Sequence, residues 1–262
     1  MIGLFLGNTE FPKLILEKIK EKKIKYFIID LTKKKLFKKD KNCYHIQIGQ
    51  FGKILDLLKS KKCKKAIFAG RIDRPNITKL KLDFKGFLYI PRIIKAAKKG
   101  DAAMLKQLIK ILSENGVKII SSNFFNPELT LKKGVYSKIK PNKKDEKNIK
   151  TGIKILKKTN SLDHVQAVIV TNNSVFKENR NGTKILIKSI KKNQNQTGVL
   201  IKFPKKKQDL RVDLPTVGLN TLKDLKKKNL KGLVVKANKN IFLNKYDCIK
   251  FVDKNNMFLV SK

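Results

Sequence analysis

The chain has no tryptophan, two histidines and three cysteines in 262 residues. With only His45 and His164 to draw on, a Ser-His-Asp or Cys-His arrangement lacks a credible base, and nucleophilic triad chemistry is not expected. Cys43, Cys63 and Cys248 form no CxxC pair and no Cys/His cluster. That argues against a disulfide framework and a structural zinc site and fits a reducing cytoplasm. No uncharged apolar run approaches the roughly 18 residues of a spanning helix. The opening MIGLFLGNTEFP has neither a basic n-region nor a small-residue cleavage site. A soluble or peripheral cytoplasmic protein is expected.

Acidic residues and arginine are also scarce. Asp and Glu total 20 against 63 Lys and Arg, a formal net charge of +43. Such an excess attracts phosphate, whether in nucleic acid, on an anionic membrane or on a substrate. The lysines, however, are spread along the whole chain amid Ile, Asn and Phe, as if lysine filled neutral surface positions. No aromatic-rich basic motif, helix-turn-helix signature or zinc knuckle accompanies them, so a nucleic-acid partner is not expected. Where lysine is abundant, the five arginines (Arg71, Arg74, Arg92, Arg180 and Arg211) and the few carboxylates carry more information.

The length suits two domains, each with its own core. Residues 2–6 (IGLFL) read as a buried strand and Gly7-Asn8-Thr9 as a turn. Pro12 suits the first turn of a helix carrying Leu14, Ile15, Leu16 and Ile19. Strands at 26–31, 66–70 and 117–122 then alternate with helices near 51–59, 91–99 and 101–114. That alternation implies a parallel, doubly wound, Rossmann-like sheet. Between Asn123 and Lys147 the periodicity fades into a Pro- and charge-rich connection, giving domains of 1–131 and 134–262. The second half is α/β again, with helices over 146–158, 183–192 and 221–229 and strands at 165–171, 198–203, 232–237 and 257–261. An Asn172-Asn173 turn follows the first of these strands.

Few segments carry chemistry. In Gln208-Asp209-Leu210-Arg211-Val212-Asp213-Leu214-Pro215-Thr216, strict alternation predicts a strand. Asp209, Arg211 and Asp213 would share one face, with Leu210, Val212 and Leu214 on the core face. Two carboxylates flanking a guanidinium suit a hard divalent cation beside a phosphate; a surface ion-pair ladder is the plainer alternative. Gly7-Asn8 lies between a strand and a helix N-terminus, where backbone N–H groups cradle anions. Gly70-Arg71-Ile72-Asp73-Arg74-Pro75 follows a parallel strand at the edge where open α/β sheets bind ligands; a plain loop competes with phosphate contact there. Asp101, after Lys99-Gly100, is placed to cap the next helix. The lysine-rich amphipathic stretch from Ile93 to Leu112 suits either an anionic lipid surface or two ordinary core-facing helices. The missing GxGxxG speaks against a nicotinamide-dependent sugar-nucleotide enzyme.

Together these segments resemble the UDP-2,3-diacylglucosamine pyrophosphatases of bacterial lipid A biosynthesis, the type unrelated to calcineurin-like phosphoesterases. The resemblance runs through GLFLGNTEFP, GQFGKI (49–54), FAGRIDRP (68–75), KGDAAML (99–105), LDHVQAVIV (162–170) and QDLRVDLPTVG (208–218). It implies a Rossmann-like N-terminal domain, a distinct C-terminal α/β domain, and substrate held between them. The implied reaction is Mg²⁺-dependent hydrolysis, with Mn²⁺ as an alternative, of UDP-2,3-diacylglucosamine to UMP and 2,3-diacylglucosamine 1-phosphate. The essential aspartate of the family's DLPT segment falls on Asp213, with Asp209 as a second metal ligand. Substrate contacts are implied at Gly7, Asn8, Gly70, Arg71, Asp101, Gln166, Thr183, Lys202, Arg211 and Thr216. A weak peripheral seat at the inner membrane and a homodimer are compatible with it. Where the family carries Glu-Gly-Thr-Asp, this chain reads Asn181-Gly182-Thr183-Lys184, so two carboxylates that the resemblance implies are missing while Glu178 and Thr183 remain.

Overall fold

A computed structural model of the chain describes residues 1–72, 80–159, 165–171, 174–192, 194–205 and 208–262. The expectations for Asp73, Arg74, Pro75, Asp163, His164 and the Asn172-Asn173 turn lie outside the described residues. The chain forms two compact units, Met1–Pro127 and Glu128–Lys262.

The first unit is built on five parallel strands: β1 (Ile2–Leu6), β2 (Tyr26–Asp30), β3 (Cys43–His45), β4 (Lys65–Ala69) and β5 (Lys118–Ile119). Their order is β3-β2-β1-β4-β5, that of a doubly wound sheet. The central strands are continuous apolar runs because both faces are covered: Leu4, Phe5, Leu6, Ile28, Ile29 and Ile67 are all buried. Helix α1 (Phe11–Glu21) starts with Pro12 in its first turn, where the missing N–H costs nothing. It buries Phe11, Ile15, Leu16 and Ile19 as one stripe. Helix α2 (Phe51–Ser60) covers the sheet with Ile54, Leu55 and Leu58.

Helix α3 spans Phe84–Ala97, seven residues earlier than the expected start at 91. The sequence suggested a start at Pro91, but Pro91 lies inside the helix on an exposed position, where the chain tolerates the lost hydrogen bond. The true start is set by Asp83, whose carboxylate accepts from Gly86 N–H at 2.7 Å. The same carboxylate accepts from Gly52 and Lys53 N–H at 2.9 and 3.0 Å, so one side chain caps both α2 and α3. Burial works to raise the Asp83 carboxyl, but these three amide donors prevail and hold it below the usual carboxylate range. Asp83→Ala is expected to cost about 2 kcal/mol, roughly 1 per cap, in urea unfolding followed by circular dichroism. Because the folded-state pKa is depressed, the contribution is present above the unfolded pKa. It fades as pH falls through the folded value, so wild type and variant should converge on the acid side.

Helix α4 (Asp101–Glu114) packs on α3. Its N-cap is Gly100, without a side-chain cap, and Asp101 lies one residue inside. The expected capping by Asp101 is therefore corrected: it lies in the first turn, where its charge faces the positive end of the helix dipole. In the Ile93–Leu112 stretch Ala96, Ile109, Ile111 and Leu112 are buried, the other apolar residues are half-buried, and Lys95, Lys98 and Lys106 are exposed.

In the second unit a six-stranded mixed sheet has the order β6-β13-β11-β9-β7-β8. Its strands are β6 (Gly134–Val135), β7 (Ala167–Val170), β8 (Val175–Lys177), β9 (Val199–Lys202), β11 (Gly232–Val235) and β13 (Phe258–Ser261). Strands β9, β11 and β13 run parallel; β6, β7 and β8 are each antiparallel to their neighbours. Helix α5 (Lys143–Lys158) lies against β7 and β9 and opens on a reciprocal capping box between Asn142 and Asp145. Helices α6 (Thr183–Ser189), α7 (Leu219–Lys227) and α8 (Lys245–Lys254) contribute Leu186, Ile187, Leu222, Leu225, Cys248 and Val252 to the other core layer. A separate pair, β10 (Thr216–Val217) and β12 (Ile241–Phe242), stands beside them.

Candidate functional site

Strand register assembles the site in the second unit. Antiparallel pairing sets Ala167 opposite Lys202, and β8 continues the row, with Glu178 N–H donating to the Ala167 carbonyl. Gln166, Lys202 and Glu178 therefore meet at one end of three adjacent strands. Glu178 is buried, and both its oxygens are engaged. Gln166 N–H donates to Oε2 at 3.0 Å and the Thr183 hydroxyl to Oε1 at 2.6 Å. The Gln166 side-chain Oε1 is buried with no hydrogen-bond partner among the described residues. A buried acceptor in that state is uncommon; Asn126 Oδ1 in the first unit shares it, and a water or a ligand donor would satisfy either.

Lys202 is the unusual residue. It ends β9, the strand register leaves it only 9 % exposed, and its ammonium donates to the Thr216 carbonyl at 3.1 Å. Burial pushes its pKa below the ordinary lysine range, while the carboxylates of Glu178 and Asp213 pull the other way. Its own carbonyl accepts from the buried Asn240 amide, whose oxygen in turn accepts from Lys236 N–H. The lysine is thus fixed at both its backbone and its tip. Nothing in the pattern of the sequence distinguished Asn240. Glu178 was visible only as a residue that the family resemblance retained.

The segment expected to be a strand is a turn. Asp209 C=O accepts from Val212 and Asp213 N–H, and Asp209 Oδ1 accepts from Arg211 N–H. An aspartate side chain that satisfies the backbone two residues on competes with the sheet ladder, and here it prevails. Asp209, Arg211 and Asp213 therefore do not share a strand face, and Leu210, Val212 and Leu214 are only half-buried. Arg211 folds back so that Nε and Nη2 meet the two Asp209 oxygens at 3.0 and 2.7 Å. The strand proper begins at Thr216, after the buried Pro215.

Among the described residues no three His, Cys, Asp or Glu side chains converge into a ready metal cage. Mg²⁺ commonly takes one or two protein carboxylates and completes its shell with substrate oxygens and water. Asp213, close enough to Lys202 to act on its charge, fits that use. Asp209 is held by Arg211 and is a donor only if that pair opens.

In the first unit, Gly7 and Gly70 directly follow β1 and β4, the adjacent strands from which the chain departs in opposite directions. Ligands of doubly wound sheets bind at that point. Asn8 N–H donates to the Arg71 carbonyl at 2.7 Å, and Gly7 N–H to that of Ala69 at 2.9 Å. A Cβ on Gly7 would stand 2.3 Å from the Arg71 oxygen, and Gly70 adopts φ +88°, so both turns require glycine. Asp101 is exposed in the first turn of α4. Of the residues singled out in the sequence, Gln166, Thr183, Lys202, Asp213 and Thr216 thus lie in one connected cluster, and Gly7, Asn8, Gly70 and Arg71 in another.

Comparison with known proteins accounts for both units. Residues 1–129 match the LpxI N-terminal domain and residues 132–260 the LpxI C-terminal domain. The chain is 29% identical over 224 residues to the UDP-2,3-diacylglucosamine pyrophosphatase LpxI of Caulobacter vibrioides, covering 82% of this chain and 80% of that protein. With family models matched to each unit in turn, the chain belongs to the LpxI family.

Proposed function

We propose that the chain hydrolyses the pyrophosphate of UDP-2,3-diacylglucosamine to UMP and 2,3-diacylglucosamine 1-phosphate, in the cytoplasm. The observation that carries this reading is the buried Lys202 ammonium, on which the carboxylates of Glu178 and Asp213 act. A fixed cation in a water-poor recess is worth most against charge that develops on a phosphoryl group. Family membership and the name of the Caulobacter relative supply the substrate class.

Asp213 carries the chemistry in this account. It orients the water that enters as the P–O–P anhydride bond breaks, and it holds Mg²⁺, with Mn²⁺ as an alternative. When bound, that cation neutralises phosphate oxygens and so lowers the cost of bringing a water oxygen to phosphorus. Lys202 holds a phosphate oxygen, the Gln166 oxygen accepts from a substrate donor, and Thr183 and Thr216 border the recess. Arg211, once drawn to phosphate, releases Asp209 as a second carboxylate donor. In the first unit the Gly7 and Asn8 N–H groups are taken up by the Ala69 and Arg71 carbonyls, so the exposed Asn8 and Arg71 side chains meet anionic or hydroxyl groups there, and Asp101 offers a carboxylate for a substrate hydroxyl. Asn181 and Lys184, where the family carries carboxylates, are both exposed and take no part in this metal arrangement.

The products are checked by ³¹P NMR of the reaction mixture: UMP and the diacylated sugar phosphate should appear in equal amounts, and any other phosphate pair would refute the proposal. A second expectation concerns pH. The ammonium must be charged to hold phosphate, so activity falls as pH rises through the depressed Lys202 pKa. Glu178→Gln removes one of the charges that raise that pKa. The alkaline limb of the rate profile should therefore move to lower pH. An unmoved limb would show that Glu178 does not act through Lys202.

A further inference from the structure

Among the described residues the strongest clustered apolar exposure is on α3. Phe84, Phe87 and Leu88 are 79, 66 and 56 % exposed, and Pro91 is exposed with them. Their spacing, i, i+3, i+4 and i+7, puts them on one line along the helix, opposite the buried Gly86 and Ala96. Continued by the same geometry, the line reaches Lys95 (i+11) and Lys98 (i+14), both exposed. One helix face is therefore apolar over its first two turns and cationic over the next two, with Leu88 and Lys95 about 10 Å apart at 1.5 Å per residue. The face is held in place, because the Asp83 carboxylate ties the start of α3 to the start of α2.

We infer that this face of α3 docks on an anionic lipid bilayer, with Phe84, Phe87 and Leu88 entering the acyl boundary and Lys95 and Lys98 meeting headgroup phosphates. The inference rests on the proposed lipid-linked substrate, whose acyl chains must be met at a membrane. Charge decides among the occupants. A second copy of a chain carrying +43 would bring like charge against a lysine-flanked face. Nucleic acid offers phosphate but no apolar interior for three large side chains. A bilayer offers both, and an aromatic-aliphatic face continued by lysines is the arrangement that interfacial helices use. The apolar part of the seat thus lies at the start of α3, upstream of the Ile93–Leu112 stretch, which contributes its exposed Lys95 and Lys98. Among the described residues no helix is long and apolar enough to cross a membrane, so the contact is peripheral.

The test is flotation of the full chain with mixed phosphatidylcholine/phosphatidylglycerol vesicles and, in parallel, with pure phosphatidylcholine vesicles. The parent should float with the mixed vesicles. The Phe84→Ser/Phe87→Ser/Leu88→Ser variant should bind them about tenfold or more weakly, since partitioning scales with buried apolar area. Lys95→Glu/Lys98→Glu should abolish the preference for anionic vesicles. Circular dichroism and melting of both variants should match the parent, because the replaced side chains are exposed. Failure of the parent to float, or flotation of the triple variant equal to the parent's, would overturn the inference. So would a parent that sediments as a dimer while the triple variant sediments as a monomer with unchanged flotation. Hydrolysis of detergent-dispersed substrate, measured on the same samples, separates the two claims. A parent that floats as expected without hydrolysing refutes the reaction and leaves the docking face standing.

Discussion

Asp213→Asn should lower turnover by roughly 10³-fold or more and leave the melting temperature within about 2 °C of wild type. The change keeps the shape of the side chain on a half-buried turn, exchanges one acceptor oxygen for an amide donor, and removes the negative charge. That charge is what would hold a cation, orient water and help keep the Lys202 ammonium protonated. Its loss acts on chemistry directly, and raising the substrate concentration should not restore it. Steady-state kinetics with circular dichroism on the same preparations decide the matter. Turnover within tenfold of wild type would remove Asp213 from the centre of the reaction.

Lys202→Met is the second large effect, and it has a distinctive sign. Turnover should fall about 100-fold, by analogy with removal of one charge-stabilising donor, while stability holds or rises. A buried ammonium is costly to desolvate, and an unbranched apolar side chain of similar length removes that cost. Among the described residues the side-chain hydrogen bond forfeited is the one to the Thr216 carbonyl, worth about 1 kcal/mol. Glu178 keeps its donors from Gln166 and Thr183. A residue retained at a cost to the fold is one retained for function. Linkage gives an independent check. A lysine whose folded pKa is depressed destabilises the native state while it is charged, and the penalty is relieved as pH rises from that pKa towards the unfolded value. Wild type should therefore approach the stability of Lys202→Met on the alkaline side. A variant that loses stability and activity together would point to a merely structural lysine.

Much of the first unit was legible because its signals are local. IGLFL, YFIID and KAIFA are apolar runs bounded by turn residues, and Pro12 marks the start of α1. Strands and helices that alternate leave few topologies other than a doubly wound sheet. Short or edge elements were less visible. Two-residue β6, β10 and β12 have no period to read, and exposed β8 has no buried face. Helix α8 buries only Cys248 and Val252 in a lysine-rich stretch. The start of α3 was missed because Pro91 offered a competing start to the local cap from Asp83 to Gly86, and the other partners of Asp83, Gly52 and Lys53, lie about thirty residues away, beyond any window of sequence.

The candidate site divides along the same line. Gly7, Gly70 and the DLRVDLP segment stood out by residue type, yet alternation in that segment suggested a strand where Asp209 folds a turn around Arg211. Polar-apolar alternation measures the period of side chains, and it cannot weigh an aspartate that bonds its own backbone. The row formed by Gln166, Lys202 and Glu178 is a product of strand register. It appears only once β7, β8 and β9 are paired.

The most direct test of the account is release of UMP from UDP-2,3-diacylglucosamine by the purified chain, with Mg²⁺ and after EDTA, beside Asp213→Ala. The account predicts UMP release that needs the cation and disappears in the variant. Equal release by wild type and Asp213→Ala, or none from wild type with Mg²⁺ or Mn²⁺ present, would contradict it.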